Sequence, residues 1–116
     1  MPDSLLRLRD ALREFAAERD WDQFHTPRNL ATALAVEAAE LLEPFQWLTD
    51  AQASNLPPDT RAAVEQELAD VLLYLVRLAD RLGVDLEQAA IAKIARNAVK
   101  YPVEKARGSA RKYDEI

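Results

Sequence analysis

The chain has 116 residues, with 15 Lys and Arg, 20 Asp and Glu, one His, no Cys and a formal net charge of −5. A chain of this length buries roughly 65% of the surface its unfolded form exposes, enough for one packed core, so a single domain spanning 1–116 is expected. The lack of Cys excludes disulfides and thiolate metal sites, the acidic balance argues against a nucleic acid polymer as partner, and uninterrupted apolar runs such as Val71 to Val76 fall far short of the ~18 residues of a membrane span.

Helix is predicted throughout, because Gly occurs only at 83 and 108 and long stretches are rich in Ala, Leu, Glu and Arg. Leu5, Leu8, Leu12, Phe15 and Ala16 recur at helical spacing and predict a first helix from about Asp3 to Arg19. Thr26-Pro27 supplies a capping hydroxyl and a proline at the first helical position, starting a second helix that runs to about Leu42 and is limited by Pro44. Residues 50–58 read as a polar connection with room for a short helical turn. Asp59 or Thr60 is the expected cap of a third helix, rich in Leu and Val, that ends at Gly83. Asp85 opens a fourth, which runs to about Val99 ahead of Pro102, and 103–116 is a polar, basic tail. The expected fold class is therefore all-α, a four-helix bundle. Its broad apolar faces predict self-association. Met1-Pro2-Asp3 does not read as the start of a signal peptide, so a cytoplasmic location is the default expectation.

Two pairs of acids stand out. Glu37 and Glu40 on the second helix, and Glu67 and Asp70 on the third, are each spaced i, i+3, which puts both carboxylates on one helical face. Apolar neighbours on both sides place them at the border of the core, and no basic residue occurs between Arg28 and Arg61 to neutralise the first pair. Antiparallel packing of the two helices would gather the four acids into a site for a hard cation such as Mg²⁺, Mn²⁺ or Ca²⁺; the alternative is a pair of solvated acidic faces. A di-iron carboxylate site is excluded, since it needs E-x-x-H motifs and His25, the sole His, lies outside these helices.

The charge is unevenly spread. Residues 1–92 carry 8 basic and 17 acidic side chains, a net of −9, whereas 93–116 carry 7 and 3, a net of +4. Lys93, Asn97 and Lys100 share a face of the fourth helix, and Arg111 lies in the tail. They are candidates to bind phosphate oxygens, or else form a solvated basic end. Trp21 and Trp47 flank the second helix in loops, where they either stack on a nucleobase or serve ordinary packing or a subunit contact. His25 is a candidate ligand contact or a local hydrogen-bonding residue. Tyr74, on the acidic face, contacts a ligand or bonds a carboxylate.

With Glu37-Ala-Ala-Glu40 and Glu67-Leu-Ala-Asp70 in this order, the sequence resembles the all-α nucleoside triphosphate pyrophosphohydrolases of the MazG-like superfamily. Within it, Glu18 to His25, Pro27 to Leu30, Phe45-Gln-Trp47, Asp70 to Val76, Lys100-Tyr-Pro102 and Ser109 to Tyr113 are similar to the dCTP pyrophosphatase branch. The resemblance implies a Mg²⁺-dependent enzyme, with Mn²⁺ as a possible substitute, that hydrolyses dCTP or 5-modified dCTP to the monophosphate and pyrophosphate in nucleotide pool clean-up. Glu37, Glu40, Glu67 and Asp70 would hold the metal and serve catalysis. Lys93, Asn97, Lys100 and Arg111 would bind phosphates, Tyr74 the sugar or phosphates, and Trp21, His25 and Trp47 the base. Pro44 departs from the family pattern, where the helix usually continues with an apolar residue. The competing readings are a pyrophosphohydrolase of broad dNTP or dUTP preference and a non-catalytic nucleotide-binding helical module.

Overall fold

The computed structural model describes residues 4–116, so Met1-Pro2-Asp3 and the expected helix start at Asp3 lie outside the described residues. The described residues contain helices and connections and no strand. Four long helices are present, as expected: α1 (Ser4–Glu18), α2 (Pro27–Leu42), α4 (Pro58–Leu82) and α5 (Leu86–Lys100), joined by the short α3 (Asp50–Ala53) and followed by the short α6 (Val103–Ala106). The chain divides into two compact units, one through Val84 and the other Asp85–Ile116. No helix among the described residues is long and apolar enough to cross a membrane.

The helix ends follow local chemistry. Thr26 Oγ1 accepts from the Asn29 N–H at 3.2 Å, and Pro27 occupies the first helical position, where its missing N–H costs no hydrogen bond. At the end of α2, Pro44 yields a 3₁₀ turn over Glu43–Phe45 rather than further α-helix. Thr49 and Gln52 form a reciprocal capping box that stabilises the single turn of α3. The expected cap of α4 is corrected: the helix begins at Pro58 behind Pro57, with no side-chain cap. Asp59 instead lies in the first turn, where a negative charge suits the helix dipole. Gly83 ends α4 at φ 70°, with Val84 N–H reaching Ala79 O at 2.8 Å and Gly83 N–H reaching Asp80 O at 3.1 Å, the Schellman pattern. Asp85 caps α5 by accepting from Gln88 N–H at 3.0 Å.

Within the first unit, α4 packs on both α2 and α1. Ala38, Leu41 and Leu42 of α2, with Phe45, meet Val64 and Leu68 of α4 around one hollow. Glu37 lies beside Glu67, and His25 ahead of α2 lies beside Arg77. Positions that advance along α2 therefore meet positions that retreat along α4, and the two helices run antiparallel. The buried apolar core is small: Ala16, Leu30, Val64, Val76 and Ala79. Leu30 is the largest side chain fully withdrawn from water, at 1% exposure. Many large apolar residues remain exposed, among them Val36, Leu42, Leu68, Leu72 and Leu75 on α2 and α4.

Candidate functional site

Antiparallel packing brings acids from both helices together. One carboxylate oxygen each from Glu37, Glu67 and Asp70 lies within 4.8 Å of the others, and all three residues are half-buried. Glu40 stands outside this triple but remains close enough for its charge to act on Glu37. An i, i+3 step turns by 300°, so the second acid of each pair is offset by about 60° around its helix, and the two helices do not present both pairs equally.

The electrostatics are unfavourable for acids alone. Oε2 of Glu37 and Oε2 of Glu67 are both sealed from water, and among the described residues neither accepts a hydrogen bond. Buried acceptors without donors are rare and costly. Glu67, with which Glu37 can bond only by sharing a proton, pushes the Glu37 carboxyl up to about 7; burial and neighbouring Glu40 act in the same direction. A hard divalent cation would supply the missing partner for these oxygens, and a donor set of carboxylates alone is the chemistry such ions select. The cluster therefore fits a metal ion.

Towards the C-terminus of α4, a second polar assembly holds the loop between α1 and α2. Asp20 sits at φ 54°, a left-handed conformation that Asp tolerates better than most residues. It allows Trp21 N–H to reach Ala16 O at 2.9 Å and Asp20 N–H to reach Ala17 O at 3.2 Å, closing α1 in a Schellman motif. Trp21 is thereby set edge-on to Phe15, at 5.6 Å between ring centroids, and to His25, at 6.1 Å. Arg77, only 4% exposed, donates from Nε to His25 Nδ1 at 3.1 Å and from one terminal nitrogen to Asp22 Oδ1 at 2.6 Å. Its other terminal nitrogen lies 3.6 Å from Asp80 Oδ2. Asp80 in turn takes a two-pronged hydrogen bond from Arg13 of α1, which holds its carboxyl below the usual range. Arg81 donates to the His25 carbonyl at 3.1 Å. Burial, and after it the Arg77 charge, lowers the His25 pKa, so the ring favours its neutral form.

Trp47 follows the 3₁₀ turn and stands 86% exposed, and Tyr74 is half-buried on α4. In the second unit, Lys93, Asn97 and Lys100 are exposed on α5 and Arg111 is exposed beyond α6. Lys100 Nζ lies 5.0 Å from the Tyr113 ring centroid, a cation–π distance. Arg77 and Asp80 are the residues that sequence reasoning missed. A single signal was present: Glu67, Asp70, Tyr74 and Arg77 follow steps of three, four and three, one continuous stripe of α4.

Fold and site together define an all-helical protein in which two antiparallel helices build a carboxylate cluster suited to a hard cation. The MazG-like family model matches residues 32–116, and the chain belongs to the MazG-like family. It is 55% identical over 105 residues to dCTP pyrophosphatase 1 of Mus musculus and 53% identical over 105 residues to that of Homo sapiens. Each alignment covers 89% of this chain, which thus spans 62% of the length of these relatives. A crystal structure of a pyrophosphatase from Archaeoglobus fulgidus is similar with a TM-score of 0.76 and 41% identity, over 80% of this chain and 87% of that one.

Proposed function

We propose that the chain is a Mg²⁺-dependent pyrophosphohydrolase that converts dCTP, or a dCTP modified at the 5 position, to the monophosphate and pyrophosphate, removing such nucleotides from the pool. The observation that carries this reading is the triple of Glu37, Glu67 and Asp70 with two sealed carboxylate oxygens lacking donors. The similarity to dCTP pyrophosphatase 1 supplies the substrate class.

In this reading Glu37, Glu40, Glu67 and Asp70 hold the metal. When bound, the ion neutralises the triphosphate and lowers the pKa of the attacking water. One of the four carboxylates takes the water's proton. The anhydride bond between the α and β phosphorus breaks, the water's oxygen completes one product, and pyrophosphate leaves. Lys93, Asn97, Lys100 and Arg111 bind phosphate oxygens and stabilise charge on the leaving group. Tyr74 borders the sugar or phosphates, and Trp21, His25 and Trp47 receive the base. The exposed apolar side chains of α2 and α4 support assembly as a homodimer or homotetramer, in a single domain whose last residues, 103–116, are a basic tail. The cytoplasm, where nucleotide pools are held, is the proposed location.

The test is a panel of the four dNTPs and dUTP with Mg²⁺, with monophosphate and pyrophosphate both quantified. Preferential dCTP turnover is the expected result. Equal turnover of all five would replace the cytosine preference with a broad one. No turnover of any would leave a nucleotide-binding helical module and remove the enzyme.

A further inference from the structure

Arg77 is a buried cation whose bonding exceeds what burial alone requires. Asp22 and Asp80 already neutralise it, and either an ordered water or a backbone carbonyl would satisfy its Nε–H. The Nε–H instead goes to the ring nitrogen Nδ1 of His25, the only His in the chain, from a residue 52 positions away in sequence. A neutral imidazole that accepts at Nδ1 must carry its proton on Nε2. Among the described residues no hydrogen bond uses that Nε2–H, and the ring is half-buried rather than enclosed. Asp22, Arg77 and Arg81 are the charged groups that act on this ring; the two guanidinium groups oppose its protonation and Asp22 favours it, while burial adds to the opposition.

The placement of this arrangement matters as much as its bonding. Arg77 lies seven residues beyond Asp70 on the same stripe of α4, about 10 Å further along the helix axis. A nucleotide held by its phosphates at the carboxylate end has its sugar and base left to extend along that stripe. Trp21, partly exposed and edge-on to His25, offers a flat apolar surface beside the imidazole donor.

We propose that Arg77 is a positioning residue for nucleotide recognition: it fixes His25 in the tautomer that keeps Nδ1 as acceptor and presents Nε2–H as a donor to the nucleoside part of the substrate. This rests on the function proposed above. A purely structural Arg77 would need only its two aspartates, and the ring would then be free to exchange tautomers.

The single His makes the test direct, because a long-range ¹⁵N–¹H spectrum of the imidazole reads His25 alone. The wild type is expected to show a protonated Nε2 and an unprotonated Nδ1. Arg77→Lys keeps the buried charge but lacks the guanidinium fork. Its two ring nitrogens should move towards a common averaged shift, while KM for dCTP rises by about tenfold, the worth of one hydrogen bond, and kcat stays near wild type. A protonated Nδ1 in the wild type would overturn the proposal, as would an unchanged imidazole spectrum in Arg77→Lys. If that variant does not fold, the wild-type spectrum still decides the tautomer. Asp22→Asn, at an exposed position, then loosens the guanidinium, and it is expected to shift the ring nitrogens in the same direction. Absence of dCTP turnover by the wild type would remove the proposed activity, whereas the imidazole spectrum would still decide what Arg77 does to His25.

Discussion

Glu37 on α2 and Glu67 on α4 face each other with one oxygen apiece closed off from both water and hydrogen-bond donors. Above about pH 7, where Glu37 is ionised, two like charges so placed favour separation of the helices, and a cation between them reverses the sign of that interaction. Mg²⁺ should therefore raise the melting temperature of the wild type. A ligand at a hundred times its dissociation constant adds about 2.7 kcal/mol, worth about 10 °C in a domain of this size. Glu67→Gln should melt higher than wild type without metal, because one of the two charges is gone, and should lose the response to Mg²⁺. Differential scanning calorimetry with Mg²⁺ and with EDTA reads both effects. Equal metal responses in the two proteins would dissociate the cluster from metal binding.

The acids are expected to matter to catalysis far more than to folding. Asp70→Asn should lower turnover by orders of magnitude and leave the far-ultraviolet circular dichroism unchanged, since the substitution removes a ligand charge without opening a cavity. Wild-type rates in this variant would show that Asp70 is not a ligand.

Trp47 and Leu30 make opposite predictions. At 86% exposure, Trp47 contributes little to the core, so Trp47→Ala should change stability by no more than about 0.5 kcal/mol while raising KM or altering nucleotide preference. Leu30→Ala empties a fully enclosed position and should cost about 2–5 kcal/mol in urea unfolding. A stability loss for Trp47→Ala approaching that of Leu30→Ala would mean that Trp47 is packed in the assembled protein.

The paired Arg13 and Asp80 predict an acid limb in the stability profile. The hydrogen bond from Arg13 lowers the Asp80 pKa below the ordinary 3.8, so the folded state binds fewer protons there than the unfolded chain. The stabilisation is fully present above pH 3.8 and is lost as pH falls through the lower, folded value. Arg13→Gln should thus be less stable than wild type at neutral pH, and the gap should close in strong acid. A gap that stays constant down to pH 2 would rule out this pair as its source.

The long helices were legible because their signals are local. Thr26-Pro27, Gly83 and Asp85 each act within four residues, and each lies at the boundary it marks. The carboxylate pairs were legible for the same reason, since helical spacing fixes which face they share. What escaped was tertiary. Arg77 stands between Val76 and Leu78, and nothing nearby in sequence reveals that its partners are Asp22 and His25, more than 50 positions earlier. The exclusion of Glu40 from the tightest triple likewise depends on how α2 is rotated against α4. The start of α4 was misassigned because Asp59 and Thr60 are apt caps, yet Pro57 and Pro58 already fix the backbone two to three residues earlier.

Helix α4 is 25 residues long, about 37 Å, and it carries Glu67, Asp70, Tyr74 and Arg77 on one unbroken stripe. It thus acts as a ruler between the two assemblies it bears. One residue inserted between Asp70 and Tyr74 would leave Glu37-Ala-Ala-Glu40 and Glu67-Leu-Ala-Asp70 intact in the sequence, yet would turn Arg77 by about 100° away from the carboxylates. Seven inserted residues would nearly restore the facing and lengthen the interval by about 10 Å. Within this fold, the phase and the length of one helix are separable controls on how far the cation-binding end stands from the imidazole.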